Sequence, residues 1–233
     1  LGFRIPGLRV DIREEPDATR LAVGFRPLRG PRVRADVRVA MPPDHETLNV
    51  VVPWSERRFQ FTSKHNTRPA QGSITAGETT YDLGPHNETF GCLDFGRGVW
   101  PRDTVWNWGA ASGQQGEHTV GLQFGGQWTD TTGQTENGLC VDGRLSKIHE
   151  DVRFDFDRQA PKGRWHIHTP DTERVDLSFE PELLKPLRVN LGVAGASCDV
   201  CFGTYRGTVV PDSGPALEVD GLFGWAEEMR ARW

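Results

Sequence analysis

Two acidic residues stand out by type and setting: Asp94 in LDFGRG and Glu136 in TENGLC, each opening or closing an apolar strand-like run. A carboxylate at the mouth of an aromatic pocket has its pKa raised by desolvation and becomes a usable proton donor. Paired carboxyls of this kind protonate alkenes or move protons beside a carbonyl. The alternative is structural: Asp94 pairs with an arginine, and Glu136 anchors a turn by accepting backbone N–H groups.

Between them in the chain lies GRGVWPRDTVWNWGAASG, residues 96–113, with Trp100, Trp106 and Trp108. Strand alternation puts Trp106 and Trp108 on one face and Asn107 on the other. The two indoles are either the wall of a ligand site or the filling of a small barrel. Trp100 sits in a Gly-rich turn and is the sharper candidate for ligand contact. Arg102, Asn107 and Asn137 complete the candidate ligand-binding set. Asn107 or Asn137 would orient substrate or water.

Other chemistry is thinly represented. His166 and His168 in WHIHT share a strand face, a spacing that chelates zinc or copper once a third ligand arrives. No third ligand is visible at diagnostic spacing, and no metal is expected. Cys198 and Cys201 form a lone CxxC without a second pair, read as buried thiols. There is no nucleophile elbow around Ser112, no P-loop and no dinucleotide fingerprint, so no cofactor is expected.

The elements that would hold these residues are short strands. RVRADVRVA, ETLNVVVPW, TVWNWGA, HTVGLQFG and RVDLSFE alternate with period two and are separated by Gly, Pro and Asp. VDGRL carries the Asp-Gly of a type I′ hairpin. SKHNTRPAQG (63–72) reads as loop, EPELLKPL as a helix interrupted by proline, and GWAEEMRARW (224–233) as a short terminal helix. The pattern implies an all-β, antiparallel, calycin- or lipocalin-like architecture, with one complete barrel and part of a second. Strands of a first, incomplete barrel are assigned to 1–95, and a second barrel with the terminal helix to 96–233.

With 233 residues, a net charge of −5 and no basic stripe, the chain is not expected to bind nucleic acid. No apolar run is long enough to cross a bilayer. The chain begins with Leu and without a signal-like segment, and the reading is cytoplasmic, with any leader removed beforehand.

VVPWSERRFQFTSKHNTRPAQG, GRGVWPRDTVWNWGAASG, TENGLCVDGRLSK and FGTYRG…GLFGWAEEMRARW together resemble the family catalogued as domain of unknown function 2804, from about Pro53 to Trp233. That family's style is similar to the carotenoid-hydratase and tocopherol-cyclase group of lipocalin-like proteins. The resemblance implies an isoprenoid or similar apolar ligand, held in a barrel and protonated there. It also implies that the family's N-terminal region lies outside this chain, so that a partner segment completes the first barrel. Arg102 and Asp103 depart from the family pattern after Trp-Pro, which removes support for a basic group at 103. Three functions follow from these residues: acid–base hydratase, lyase, cyclase or isomerase chemistry; lipid or pigment carriage; and sugar recognition by stacked indoles.

Overall fold

The computed structural model describes residues 1–84, 86 and 88–233. Its strands are β1 (Gly2–Ile5), β2 (Leu8–Glu15), β3 (Ala18–Phe25), β4 (Val33–Ala40), β5 (Leu48–Ser55), β6 (Arg58–Ala76), β7 (Thr79–Leu83), β8 (Phe90–Val99) and β9 (Asp103–Gln115). They continue as β10 (His118–Gly126), β11 (Asn137–Val141), β12 (Arg144–Ile148), β13 (Arg153–Asp155), β14 (Trp165–His168), β15 (Val175–Asn190), β16 (Gly195–Val209) and β17 (Leu217–Arg232). The expected all-β, antiparallel class holds. No helix among the described residues is long and apolar enough to cross a membrane.

The chain forms two compact units, Leu1–His45 with Thr67–Cys92, and Glu46–Asn66 with Leu93–Trp233. In the first, β1 to β4 run in order and β4 pairs with the second half of β6, which also carries β7. Few of its apolar side chains are deeply buried; Ala18, Val37 and Ala70 are the examples.

The second unit holds a nine-stranded antiparallel sheet in the order β12-β11-β10-β9-β17-β16-β15-β14-β13. Its core gathers Leu122, Phe124, Leu139, Trp165, Phe179 and Tyr205, all fully buried. In the same unit β5 pairs with the first half of β6, setting Leu48, Val50 and Val52 opposite Lys64, Thr62 and Gln60. Directly opposed residues share a face, so these three polar side chains enter from a strand whose partner supplies buried aliphatics.

Four local expectations are overturned, one being the Gly-rich turn before Trp100, whose Gly96 and Gly98 lie in β8. The terminal segment GWAEEMRARW belongs to β17, not to a helix, because β17 is bonded on both edges, to β16 and to β9. Two ladders outweigh the helix propensity of a ten-residue segment. EPELLKPL lies in β15, where a register shift between Pro181 and Leu183 absorbs the proline. SKHNTRPAQG is not a loop but the middle of β6. The expected turn at Asp142-Gly143 is present, both residues having positive φ (50° and 80°) as a type I′ turn requires.

Candidate functional site

The second unit holds a partly open cavity of about 420 Å³ with one polar and one aromatic wall. The polar wall begins with Gln60, Thr62 and Lys64, which alternate onto one face of β6. Lys64 is buried, and an ammonium out of water needs compensating charge. Its Nζ lies 2.8 Å from Asp94 Oδ2 and 3.5 Å from Glu136 Oε1. It also sits 4.3 Å from the centroid of the Trp108 ring, over the indole face. Thr62 Oγ1 donates to the other Asp94 oxygen at 3.3 Å.

Three carboxyls, Asp94, Glu136 and Glu227, line the space around this one lysine. Glu136 is only 3% exposed, and burial pushes its pKa up from 4.5 to about 7. Lys64 opposes that rise and the Asp94 charge adds to it. Glu227 is raised too, chiefly by burial, against the stabilising hydrogen bond from Trp106. One acid therefore holds or releases a proton near neutrality, within ion-pair reach of a fixed cation.

The aromatic wall is built from β5 and β9 and from residues just past the ends of β8, β10 and β17. Trp100 follows β8 and stacks on Trp128 at 5.5 Å and 21°, with Trp106 at 5.6 Å and Trp54 at 5.0 Å. Four indole N–H groups are taken by the protein: Trp100 donates to Gln60 Oε1 (2.7 Å), Trp106 to Glu227 Oε1 (3.1 Å), Trp108 to Gln123 Oε1 (3.0 Å) and Trp54 to the Trp128 carbonyl (2.8 Å). These rings offer the cavity their apolar surfaces, and its polarity is left to Lys64, Thr62 and the acids. Trp233, largely exposed, stands at the rim 6.5 Å from Trp100.

Glycines let these parts approach. A Cβ on Gly98 would lie 2.1 Å from the Phe59 carbonyl oxygen, and one on Gly96 would lie 2.1 Å from Gln60 Nε2. A Cβ on Gly125 would meet Glu136 Oε2 at 2.7 Å. The glycine-rich GRGVW therefore allows close packing of β8 on β6.

Of the residues singled out in the sequence, Asp94, Glu136, Trp100, Trp106 and Trp108 line the one cavity. The other three are placed elsewhere. Asn107 faces away from the indoles, as alternation demands, donating to the Glu227 carbonyl and accepting from Gln127. Asn137 is fully buried and bridges Gly125 N and the Glu150 carbonyl. Arg102 is exposed and donates to the Val193 carbonyl at 3.3 Å. Lys64, Gln60, Thr62, Trp128, Glu227 and Trp233 were not anticipated. The signal for the first three was the alternating Gln-Phe-Thr-Ser-Lys, polar on every second residue of a strand.

None of the four cysteines is in a disulfide. Burial pushes the Cys198 thiol up to about 12 and that of Cys201 to about 11, so neither is a poised nucleophile.

These features define an antiparallel, barrel-like all-β protein with an indole-lined cavity and an ion-paired acid group inside it. The chain belongs to the family described as domain of unknown function (DUF2804), whose model matches residues 2–233. The match thus extends through the first fifty residues, beyond the Pro53 limit suggested by the sequence motifs. No curated protein matches. Among solved structures, "Crystal structure of CghA with Sch210972" is similar at 16% identity and a TM-score of 0.35, over 97% of this chain and 74% of that one. Likeness at that level supports no argument about ligand or reaction.

Proposed function

We propose that this protein takes a small, largely apolar ligand, isoprenoid- or aromatic-like, into the indole-lined cavity. Cofactor-free acid–base chemistry acts on it there, of the hydratase, lyase, cyclase or isomerase kind. Glu136 is the proton donor and acceptor. Lys64 holds Asp94 and stabilises negative charge beside the reacting atoms, while Trp100, Trp106 and Trp108 hold the apolar body of the ligand. The reading rests on one observation above others: a nearly inaccessible carboxyl, Glu136, shares a cavity with a buried ammonium and a wall of indoles. A cavity of about 420 Å³ falls within the range for small-molecule sites.

Geraniol, farnesol and β-ionone serve as probes, with binding followed by quenching of tryptophan emission and turnover by gas chromatography in deuterated water. The expected result is saturable quenching, weakened at least tenfold by Trp106→Ala. Deuterium uptake or a hydrated or cyclised product should appear and fall at least a hundredfold in Glu136→Gln, the scale of general acid–base catalysis. Binding that survives in Glu136→Gln, with no turnover by the native protein, would reduce the reading to carriage. Absence of quenching by all three probes would remove it.

A further inference from the structure

The pair His166 and His168 acquires in the fold what it lacks in the sequence. Alternation along β14 sends Trp165 and Ile167, both fully buried, into the core and the two histidines outward. The imidazoles lie parallel, 4.3 Å between centroids and 8° apart. The flanking antiparallel strands each bring one carboxylate to this face. On β13, Asp155 stands opposite His166, and on β15, Asp176 stands opposite His168. The contacts run diagonally: His168 Nε2 lies 3.0 Å from Asp155 Oδ2, and His166 Nε2 lies 2.7 Å from Asp176 Oδ1.

We propose that Asp155, His166 and His168 form a binding site for a late first-row divalent metal ion, of which zinc and cobalt are the test cases, with Asp176 as fourth ligand or as the acceptor that orients His166. One ligand atom from each of the first three residues lies within 4.8 Å of the others. Ligand atoms around tetrahedral zinc are roughly 3.3 Å apart, given bonds near 2.0 Å. Rotation of the exposed Asp155 and His166 toward the half-buried His168 closes that gap, while the buried Trp165 and Ile167 hold the strand that carries the histidines. Two imidazoles with carboxylate oxygen select zinc, cobalt, nickel or copper over magnesium and calcium, which prefer all-oxygen sets. Asp176, 2.7 Å from His166 Nε2, fixes the tautomer and orientation of that ring. The site shares no residue with the cavity and stands independently of the function proposed for it.

The test uses the full chain without a polyhistidine tag, stripped with chelator. It is titrated with zinc chloride by calorimetry and with cobalt chloride by visible absorption. Expected are one ion per chain, tetrahedral cobalt d–d bands, and indifference to excess magnesium. His166→Ala with His168→Ala should weaken zinc binding at least a hundredfold and abolish the bands. Asp155→Asn should weaken it about tenfold, as outer or single-ligand losses do. His118→Ala, which removes another exposed histidine, should change nothing. Unchanged zinc affinity in the double variant would overturn the proposal. So would no binding by the native chain, or a thiolate charge-transfer band placing the ion on Cys92.

Discussion

At the scale of the residue, Glu136 and Lys64 decide the behaviour of the cavity. In the fold Glu136 keeps its proton up to about pH 7, whereas in the unfolded chain it loses it near 4.5. Between those values the native state binds the extra proton, so this contribution is complete below pH 4.5 and lost as pH rises to 7. At roughly 1.4 kcal/mol per pH unit it amounts to on the order of 3 kcal/mol. Urea denaturation of Glu136→Gln should therefore show a flatter stability profile from pH 4.5 to 7 than the native protein. Lys64→Met tests the other partner. Removing one member of a buried ion pair costs about 3–5 kcal/mol when the remaining charge has no escape. Here Glu136 escapes by protonation and Asp94 is partly exposed, so the loss should be nearer 2 kcal/mol at pH 7 and smaller at pH 5. The same denaturation series at two pH values reads both numbers.

At the scale of the element, the controlling feature is how closely β8 approaches β6. Gly98→Ala would drive a methyl into the Phe59 carbonyl, a backbone atom that cannot rotate away. A loss of about 1–3 kcal/mol is expected, together with looser Trp100 packing, read as a shift in its emission. Gly125→Ala strikes instead the end of the Glu136 side chain, and should alter its titration more than the stability of the fold.

The element scale also explains what was legible in the sequence. Period-two alternation in TVWNWGA suffices to put Trp106 and Trp108 together and Asn107 apart, since pleating has no other solution. The Asp-Gly turn is equally local. Lys64 and Glu227 were not legible because each lies in a segment whose local composition points elsewhere. SKHNTRPAQG is mostly polar and resembles loop, yet its Lys64 continues the face of Gln60 and Thr62 into the cavity, where the ammonium has charged partners. GWAEEMRARW suits a helix until strands remote in the chain offer it two ladders of hydrogen bonds. The convergence of Lys64, Asp94, Glu136 and Glu227, spread over more than 160 positions, is a property of strand order, which no local pattern encodes.

At the scale of the whole molecule, burial is divided unevenly between the two units. The second unit owns the large apolar core, whereas the sheet of the first leaves Phe3, Ile5 and Phe25 on strands with exposed side chains. Local opening free energy follows buried apolar contact. Hydrogen exchange should therefore show β10, β11 and β16 protected to the global limit, and β1 and β2 exchanging orders of magnitude sooner. Equal protection in both units would mean that the first gains stability from something other than its own packing.

The stacked pair Trp100 and Trp128, flanked by Trp54 and Trp106, has an optical consequence. Indoles at 5.0–5.6 Å share their electronic excitation, so the ultraviolet dichroism of this protein should carry an exciton couplet rather than four independent signals. A molecule that shifts Trp100, Trp106 or Trp128 on entering the cavity alters the coupling geometry. The protein thus carries its own unlabelled reporter of occupancy, readable with any candidate ligand whether or not a reaction follows.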